Sequence, residues 1–87
     1  MRVIGATITP FKGTDGYSAE KERVRETVND WIRTSKVFDG VVDFDMAVRD
    51  PDHPNRLKPD YDSGDHLHPN PAGYRHMGEV IDLRLFD

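Results

Sequence analysis

Cysteine is absent from this chain of 87 residues, which excludes disulfide bonds, thiolate metal sites and a cysteine nucleophile. Basic residues are also outnumbered, because the chain has 12 Lys and Arg but 16 Asp and Glu. Nucleic-acid binding requires clustered Lys and Arg, so we expect no nucleic-acid partner. No run approaches the roughly 18 apolar residues of a membrane span. Met1 and Arg2 lead directly into a strand-like run without the apolar core of a signal peptide, so the compartment is unknown.

Strand-like and helix-like segments alternate along the chain. Residues 3–9 form a short apolar and β-branched run that is typical of a buried strand. Residues 41–45 form a second run, in which Asp43 and Asp45 would point to the same side of the strand. A single helical turn over residues 46–48 would follow.

Two helices complete the alternation. Ser18 is the predicted N-cap of the first helix, and Asn70 and Pro71 begin the second, which would run to about Leu85. The first helix has one apolar face at helical spacing, formed by Val24, Val28, Trp31 and Ile32. We interpret this face as pointing inward, with Trp31 as a core residue. The inward stripe of the second consists of Tyr74, Met77, Ile81 and Leu85.

The order strand, helix, strand, helix predicts an α/β fold with a parallel pair of strands and a right-handed crossover. Ligands bind beyond the carboxyl ends of the strands in open parallel sheets. The turn-rich loop 13–17 and the long polar loop 50–68 follow those ends. We therefore expect both loops on one rim, where chemistry would occur.

An acid and a base lie three residues apart in the second of these loops. Asp65 and His68 have the spacing at which a carboxylate can accept an imidazole N–H and leave the other ring nitrogen to take a proton. This is two thirds of a hydrolytic triad. A structural alternative is that Asp65 only braces the turn, as aspartates commonly do.

The segment DHLHPN at 65–70, followed by AGY at 72–74, resembles the last conserved block of SGNH hydrolases, the GDSL family of lipases and acylhydrolases. Residues 38–51 and 4–11 resemble the two preceding strand regions of the secreted esterase branch. The resemblance implies a three-layer, flavodoxin-like parallel-sheet fold. Residues 1–87 would be a single partial domain, the C-terminal βαβα part of that fold.

The resemblance also implies a function. Asp65 would be the triad acid, His68 the base, and His66 a local packing or polar residue. The implied substrates are acyl or acetyl esters, often acetylated sugars, and no cofactor is expected. Tyr17 and Tyr61 are candidate contacts for a sugar or acyl group.

The nucleophile of that family is not recognisable here. Its Gly-Asp-Ser-Leu-like block and the glycine and asparagine of its oxyanion hole are missing, and Asn29-Asp30 lacks the glycine of the corresponding block. Ser18 is explained as a cap, Ser35 closes a helix, and Ser63 is too close in sequence to His68. We therefore expect a chain that is inactive alone and binds an ester substrate only when the N-terminal part of the domain completes it.

Two other interpretations are open. The chain could be a non-catalytic module that self-associates as a homo-oligomer through an exposed sheet edge or apolar face. Histidine and aspartate could also form a metal site, although His-x-His is a weak signal. The residues that could supply ligands are His53, Asp62, Asp65, His66 and His68. The scattered basic residues and the aspartates of the long loop are interpreted as solvated.

Overall fold

The computed structural model of the protein describes residues 2–86 and has an α/β architecture. Its sheet consists of two short parallel strands, β1 (Ile4–Ala6) and β2 (Gly40–Val42), in which Gly5 pairs with Val41. Parallel strands need a crossover connection, and α1 (Ala19–Thr34) lies in it. The predicted order is confirmed, but both strands end earlier than the sequence suggested. Within the described residues no helix is long and apolar enough to cross a bilayer.

The second strand ends at Val42 because the next residue starts a helix. The carboxylate of Asp43 accepts the N–H of Met46 at 3.1 Å, and α2 (Phe44–Val48) follows. Such a cap satisfies an N–H group that has no carbonyl partner within the helix. The predicted helical turn is confirmed, but the placement of Asp43 and Asp45 together on a strand is wrong. Asp45 lies in the first turn of α2 and is only 2% exposed.

Helix α1 begins as predicted, but it buries a different face. Ser18 Oγ accepts the N–H of Lys21 at 3.1 Å. Of the four apolar residues expected to point inward only Ile32 is buried, while Val24 is 58% and Trp31 52% exposed. The buried residues of α1 are Glu22, Arg25, Asn29 and Ile32. Polar contacts therefore decide which face of this helix points inward, and the prediction of Trp31 as a core residue is wrong.

Ion pairs hold the buried face of α1 against α2. Arg25 contacts Glu22 and Asp45, each at 2.6 Å, and Arg33 contacts Asp43 at 2.7 Å. Burial opposes the charge of Arg25, but its hydrogen bonds to Glu22 and Asp45 outweigh that cost and raise its pKa. The interpretation of the basic residues as a solvated surface is wrong for these two arginines.

The last helix, α3 (Pro71–Glu79), is shorter than predicted. Asn70 Oδ1 accepts the N–H of Gly73 at 2.8 Å and Pro71 takes the first position, as the sequence indicated. A separate 3-10 helix, Leu83–Phe86, follows, so a continuous helix to Leu85 is wrong. Tyr74 is 53% exposed instead of inward. The other three members of the predicted stripe are half-buried.

The loops that follow the two strands meet on one side of the sheet. The N–H of Lys12 donates to the carbonyl of Asn55 at 3.1 Å. The second loop closes on itself where the N–H of Lys58 donates to the carbonyl of Val48 at 2.9 Å. The expected common rim is thus confirmed. The buried apolar core beneath it is small and consists of Ile32, Val42, Val48 and Leu57.

Candidate active site

Asp65 and His68 form a hydrogen-bonded pair in the loop before α3. Asp65 Oδ2 lies 2.6 Å from His68 Nδ1, as in a charge-assisted hydrogen bond. The side chains are 50% and 64% exposed, respectively. Because an ionised carboxylate only accepts hydrogen bonds, this contact keeps a proton on Nδ1. Within residues 2–86 no hydrogen bond engages Nε2, so that atom is the one available to a reacting group.

The carboxylate of Asp65 has further donors. Its Oδ1 accepts the N–H groups of Leu67 and His68, each at 2.8 Å, and the hydroxyl of Ser63 at 3.0 Å. The hydrogen bonds from the ring and the backbone of His68, together with that from Leu67, hold the pKa of Asp65 well below its usual range. Asp65 is therefore ionised at neutral pH, as an orienting carboxylate must be. It also braces the turn, so both roles weighed from the sequence are compatible with the geometry.

Backbone pairing fixes the base of this loop. Asp62 and Pro69 form an antiparallel bridge, and the N–H of Ser63 donates to the carbonyl of His68 at 3.2 Å. Gly73 of α3 packs so closely on the loop that a Cβ there would lie 2.8 Å from Cβ of Pro69. The histidine is therefore presented by a turn anchored to a helix start.

A second acid–base pair lies in the same loop and was not predicted as one. Asp62 Oδ2 lies 2.7 Å from His66 Nδ1, and Asp62 Oδ1 accepts the N–H groups of Gly64 and His66 at 2.8 and 3.1 Å. Partial burial opposes the charge of Asp62, but the hydrogen bonds from Gly64 and His66 outweigh it and lower the pKa of Asp62. The four-residue spacing of the pair was the available signal. Asp62 is not simply solvated, contrary to the interpretation of the loop.

The two candidate tyrosines lie in different places. Tyr17 lines a groove of about 620 Å³ together with His66. Tyr61 lines another cavity, of about 400 Å³, where its ring stacks on His76 with the centroids 5.3 Å apart. The two tyrosines therefore line different cavities.

None of the three serines forms a hydrogen bond with the ring of His68. Ser18 Oγ caps α1, Ser35 Oγ accepts the N–H of Val37 at 3.4 Å, and Ser63 Oγ donates to Asp65. A serine nucleophile must instead give its proton to the imidazole. Ser63 binds the acid of the pair and not its base.

The proposed metal ligands are not assembled into a site. Among residues 2–86 there is no group of three or more His, Cys, Asp or Glu side chains that could hold a metal ion. His66 and His68 each direct Nδ1 to a different carboxylate. His53 lies in the turn between Asp50 and Arg56. The metal interpretation has no geometric support.

Comparison with known protein families gives a match. The model of the GDSL-like Lipase/Acylhydrolase family matches residues 1–76, which include the whole Asp65–His68 loop and the start of α3. The chain belongs to this family. No curated protein matches it. Membership in the GDSL-like family agrees with the parallel strand pair and indicates a hydrolase of that family.

Proposed function

We propose that this chain contributes the acid and the base of a serine ester hydrolase, and that the nucleophile comes from a segment outside these 87 residues. The observation that carries the proposal is the 2.6 Å contact between Asp65 Oδ2 and His68 Nδ1, with Nε2 available. The position of both residues within the match to the GDSL-like family supports it. On its own the chain would not turn over esters.

His68 Nε2 would take the proton of the serine hydroxyl as the serine attacks the ester carbonyl. The imidazolium would then give that proton to the departing alkoxide. Asp65 would hold the neutral ring with its proton on Nδ1 and stabilise the imidazolium. The substrates we propose are acyl or acetyl esters, including acetylated sugars.

A domain-replacement experiment tests this function. The nucleophile-bearing part of an active GDSL-family enzyme is fused to this chain in place of that enzyme's own C-terminal part. We expect the fusion to hydrolyse p-nitrophenyl acetate and to lose about 10³-fold or more in kcat/KM with His68→Ala. The control His53→Ala should stay within about twofold, because His53 lies outside the proposed machinery. A folded fusion whose activity survives His68→Ala would contradict the proposal.

The orienting role of Asp65 can be measured on the chain itself. ¹⁵N-detected NMR reports which ring nitrogen of each histidine carries the proton in the neutral form. We expect the Nδ1–H tautomer at His68, and a shift toward the Nε2–H tautomer in Asp65→Asn. The ring of His66, which has its own carboxylate, serves as the internal control. An unchanged His68 tautomer in the variant would refute the orienting role.

We also propose that the exposed apolar face of α1 mediates self-association. Val24 and Trp31 are more than half exposed on this face, at 58% and 52%, and apolar patches of this kind mark interaction sites. Sedimentation velocity over a range of concentrations tests the idea. We expect a dimer that Val24→Ser weakens and that Val80→Ser, on another exposed part of the chain, does not. A monomer at every concentration would refute this second function.

A further inference from the structure

The groove lined by Tyr17 and His66 contains charged and polar residues that have no role in the proposed hydrolysis. It has a volume of about 620 Å³ and lies between three loops: the loop after β1, the loop after α2, and the loop before α3 that contains Asp65 and His68. Lys12 and Tyr17 line it from the first loop, Arg56 and Leu57 from the second, and His66 from the third. Three separate segments therefore converge on one concave surface.

Two cations of this groove are available to a ligand. Within the part of the chain that the structure describes, neither the Lys12 ammonium nor the Arg56 guanidinium forms an ion pair or a side-chain hydrogen bond. Their backbones are fixed, because the N–H groups of Lys12 and Arg56 donate to the carbonyls of Asn55 and His53, each at 3.1 Å. Both residues thus present charged donors from anchored positions.

The two carboxylates of the groove, Asp50 and Asp62, differ in how many hydrogen bonds they already accept. Both oxygens of Asp62 are engaged by the backbone N–H groups of Gly64 and His66 and by the His66 ring. Asp50 accepts one hydrogen bond, from the N–H of Asp52 to Oδ1 at 2.9 Å, which leaves Oδ2 as an acceptor. The groove therefore offers cationic donors and one carboxylate acceptor, which is the complement of an anion that also carries hydroxyl groups.

The remaining walls suit a ring or a short carbon body. Tyr17 is half-buried, with its ring held edge-on to Phe11 at a centroid distance of 5.3 Å. Leu57 is 2% exposed and forms part of the floor. The ring of His66 lies against Gly13, where a Cβ would be 2.8 Å from Cγ of the imidazole. Gly13 has a φ of 107°, a conformation that glycine adopts readily, so this close approach depends on it.

We propose that this groove binds a small hydroxylated anion, one carboxylate or phosphate group on a polyhydroxylated ring. Lys12 and Arg56 bind the anionic group, Asp50 and His66 Nε2 bind hydroxyl groups, and Tyr17 contacts the ring. Binding of this kind needs no nucleophile. It can therefore be measured on the chain alone, and its failure is distinguishable from failure of the proposed hydrolysis.

NMR titration of the ¹⁵N-labelled chain tests the proposal with three probes: D-glucuronate, D-glucose 6-phosphate and D-glucose. We expect saturable shifts of the amides of Gly13, Arg56 and His66 with at least one anionic probe, and binding of glucose at least about tenfold weaker. Whichever of the two anions binds more tightly identifies the anionic group. No saturable shift with either anion at tens of millimolar, or equal binding of glucose, would overturn the proposal.

Charge-removing variants assign the effect to the groove. Arg56→Gln and Lys12→Gln should each weaken the anion by about five- to tenfold. Arg23→Gln is the matched control, because Arg23 is exposed on α1 and does not line this groove. An equal loss of affinity in Arg23→Gln and in both groove variants would mean general charge attraction and would overturn the site. The two groove variants are independent, so misfolding of one leaves the other as the test.

Discussion

Replacement of Arg25 by methionine removes the cation at the centre of the buried ion-pair cluster. Arg25 is 4% exposed. It donates to the two oxygens of Glu22 at 3.0 and 2.6 Å and to Asp45 at 2.6 Å. It also donates to the carbonyls of Ile8 and Pro54 at 3.0 and 3.1 Å. This one side chain therefore joins α1, α2, the segment after β1 and the loop after α2.

The loss of stability follows from what remains when the cation is gone. Asp45 keeps Arg33 and Arg49, at 2.9 and 3.0 Å. Glu22, which is 6% exposed, loses the cation that accompanies its burial. Removal of one partner of a buried pair costs about 3–5 kcal/mol. Since a whole domain is stable by about 5–15 kcal/mol, we expect Arg25→Met to lose a large part of the free energy of unfolding.

Urea unfolding followed by far-UV circular dichroism measures this change. The control Arg23→Met lies on the exposed side of the same helix and should stay within about 0.5 kcal/mol. The double variant Arg25→Met with Glu22→Gln should recover part of the lost stability, because it also removes the buried, unpaired carboxylate charge of Glu22. A loss below about 1 kcal/mol in Arg25→Met would refute the conclusion that Arg25 stabilises the fold by joining these segments.

Two further predictions concern pH and packing. The hydrogen bond from Arg33 lowers the pKa of Asp43 to about 2, so the stability it contributes is present above its ordinary pKa near 4 and is lost as pH falls toward 2. We therefore expect the urea concentration at the unfolding midpoint to fall less in Asp43→Asn than in the unchanged chain as the pH is lowered from about 4 to 2. An equal fall in both proteins would contradict this prediction. Gly73→Ala should cost about 1–3 kcal/mol in urea unfolding, because its Cβ would lie 2.8 Å from Cβ of Pro69. A Cβ at Gly78 would have no atom within 4 Å, so Gly78→Ala should raise the free energy of unfolding by about 0.5–1 kcal/mol. Equal effects of the two substitutions would refute the close packing of Gly73 on Pro69.

Local signals in the sequence predicted the caps and the acid–base pair. Ser18 and Asn70 cap helices through side-chain oxygens that accept N–H groups three residues ahead, a rule that depends on neighbouring residues alone. Asp65 and His68 are in contact for the same reason, since a turn of three residues can bring them together. The order of strands and helices also followed from local patterns.

The buried face of α1 could not be predicted from periodicity. Helical spacing identified Val24 and Trp31 as one face, but spacing alone does not say which face other segments cover. The direction is decided by distant partners: Asn29 bonds both backbone groups of Ile8, at 2.7 and 2.9 Å, and Arg25 reaches α2. Such contacts are between residues far apart in the chain, and no local pattern indicates them.

For a related reason the sequence did not predict the residue at which β2 ends or the residues that line the groove. Asp43 follows a β-branched run and reads as a strand residue, yet its carboxylate is used as a cap and as a partner for Arg33. Lys12 and Arg56 are 44 positions apart and line one groove only because the loops that carry them pack together. The common rim could be predicted from the sequence, but the pairs of side chains that share it could not.

We infer that this chain holds an oriented acid and base without their nucleophile. The rate of hydrolysis of p-nitrophenyl acetate by the purified chain, measured beside His68→Ala at equal concentration, tests this inference. We predict equal background rates, because none of the serines forms a hydrogen bond with the ring of His68. Turnover by the unchanged chain that disappears in His68→Ala would mean that a nucleophile lies within these residues, and the inference would be wrong.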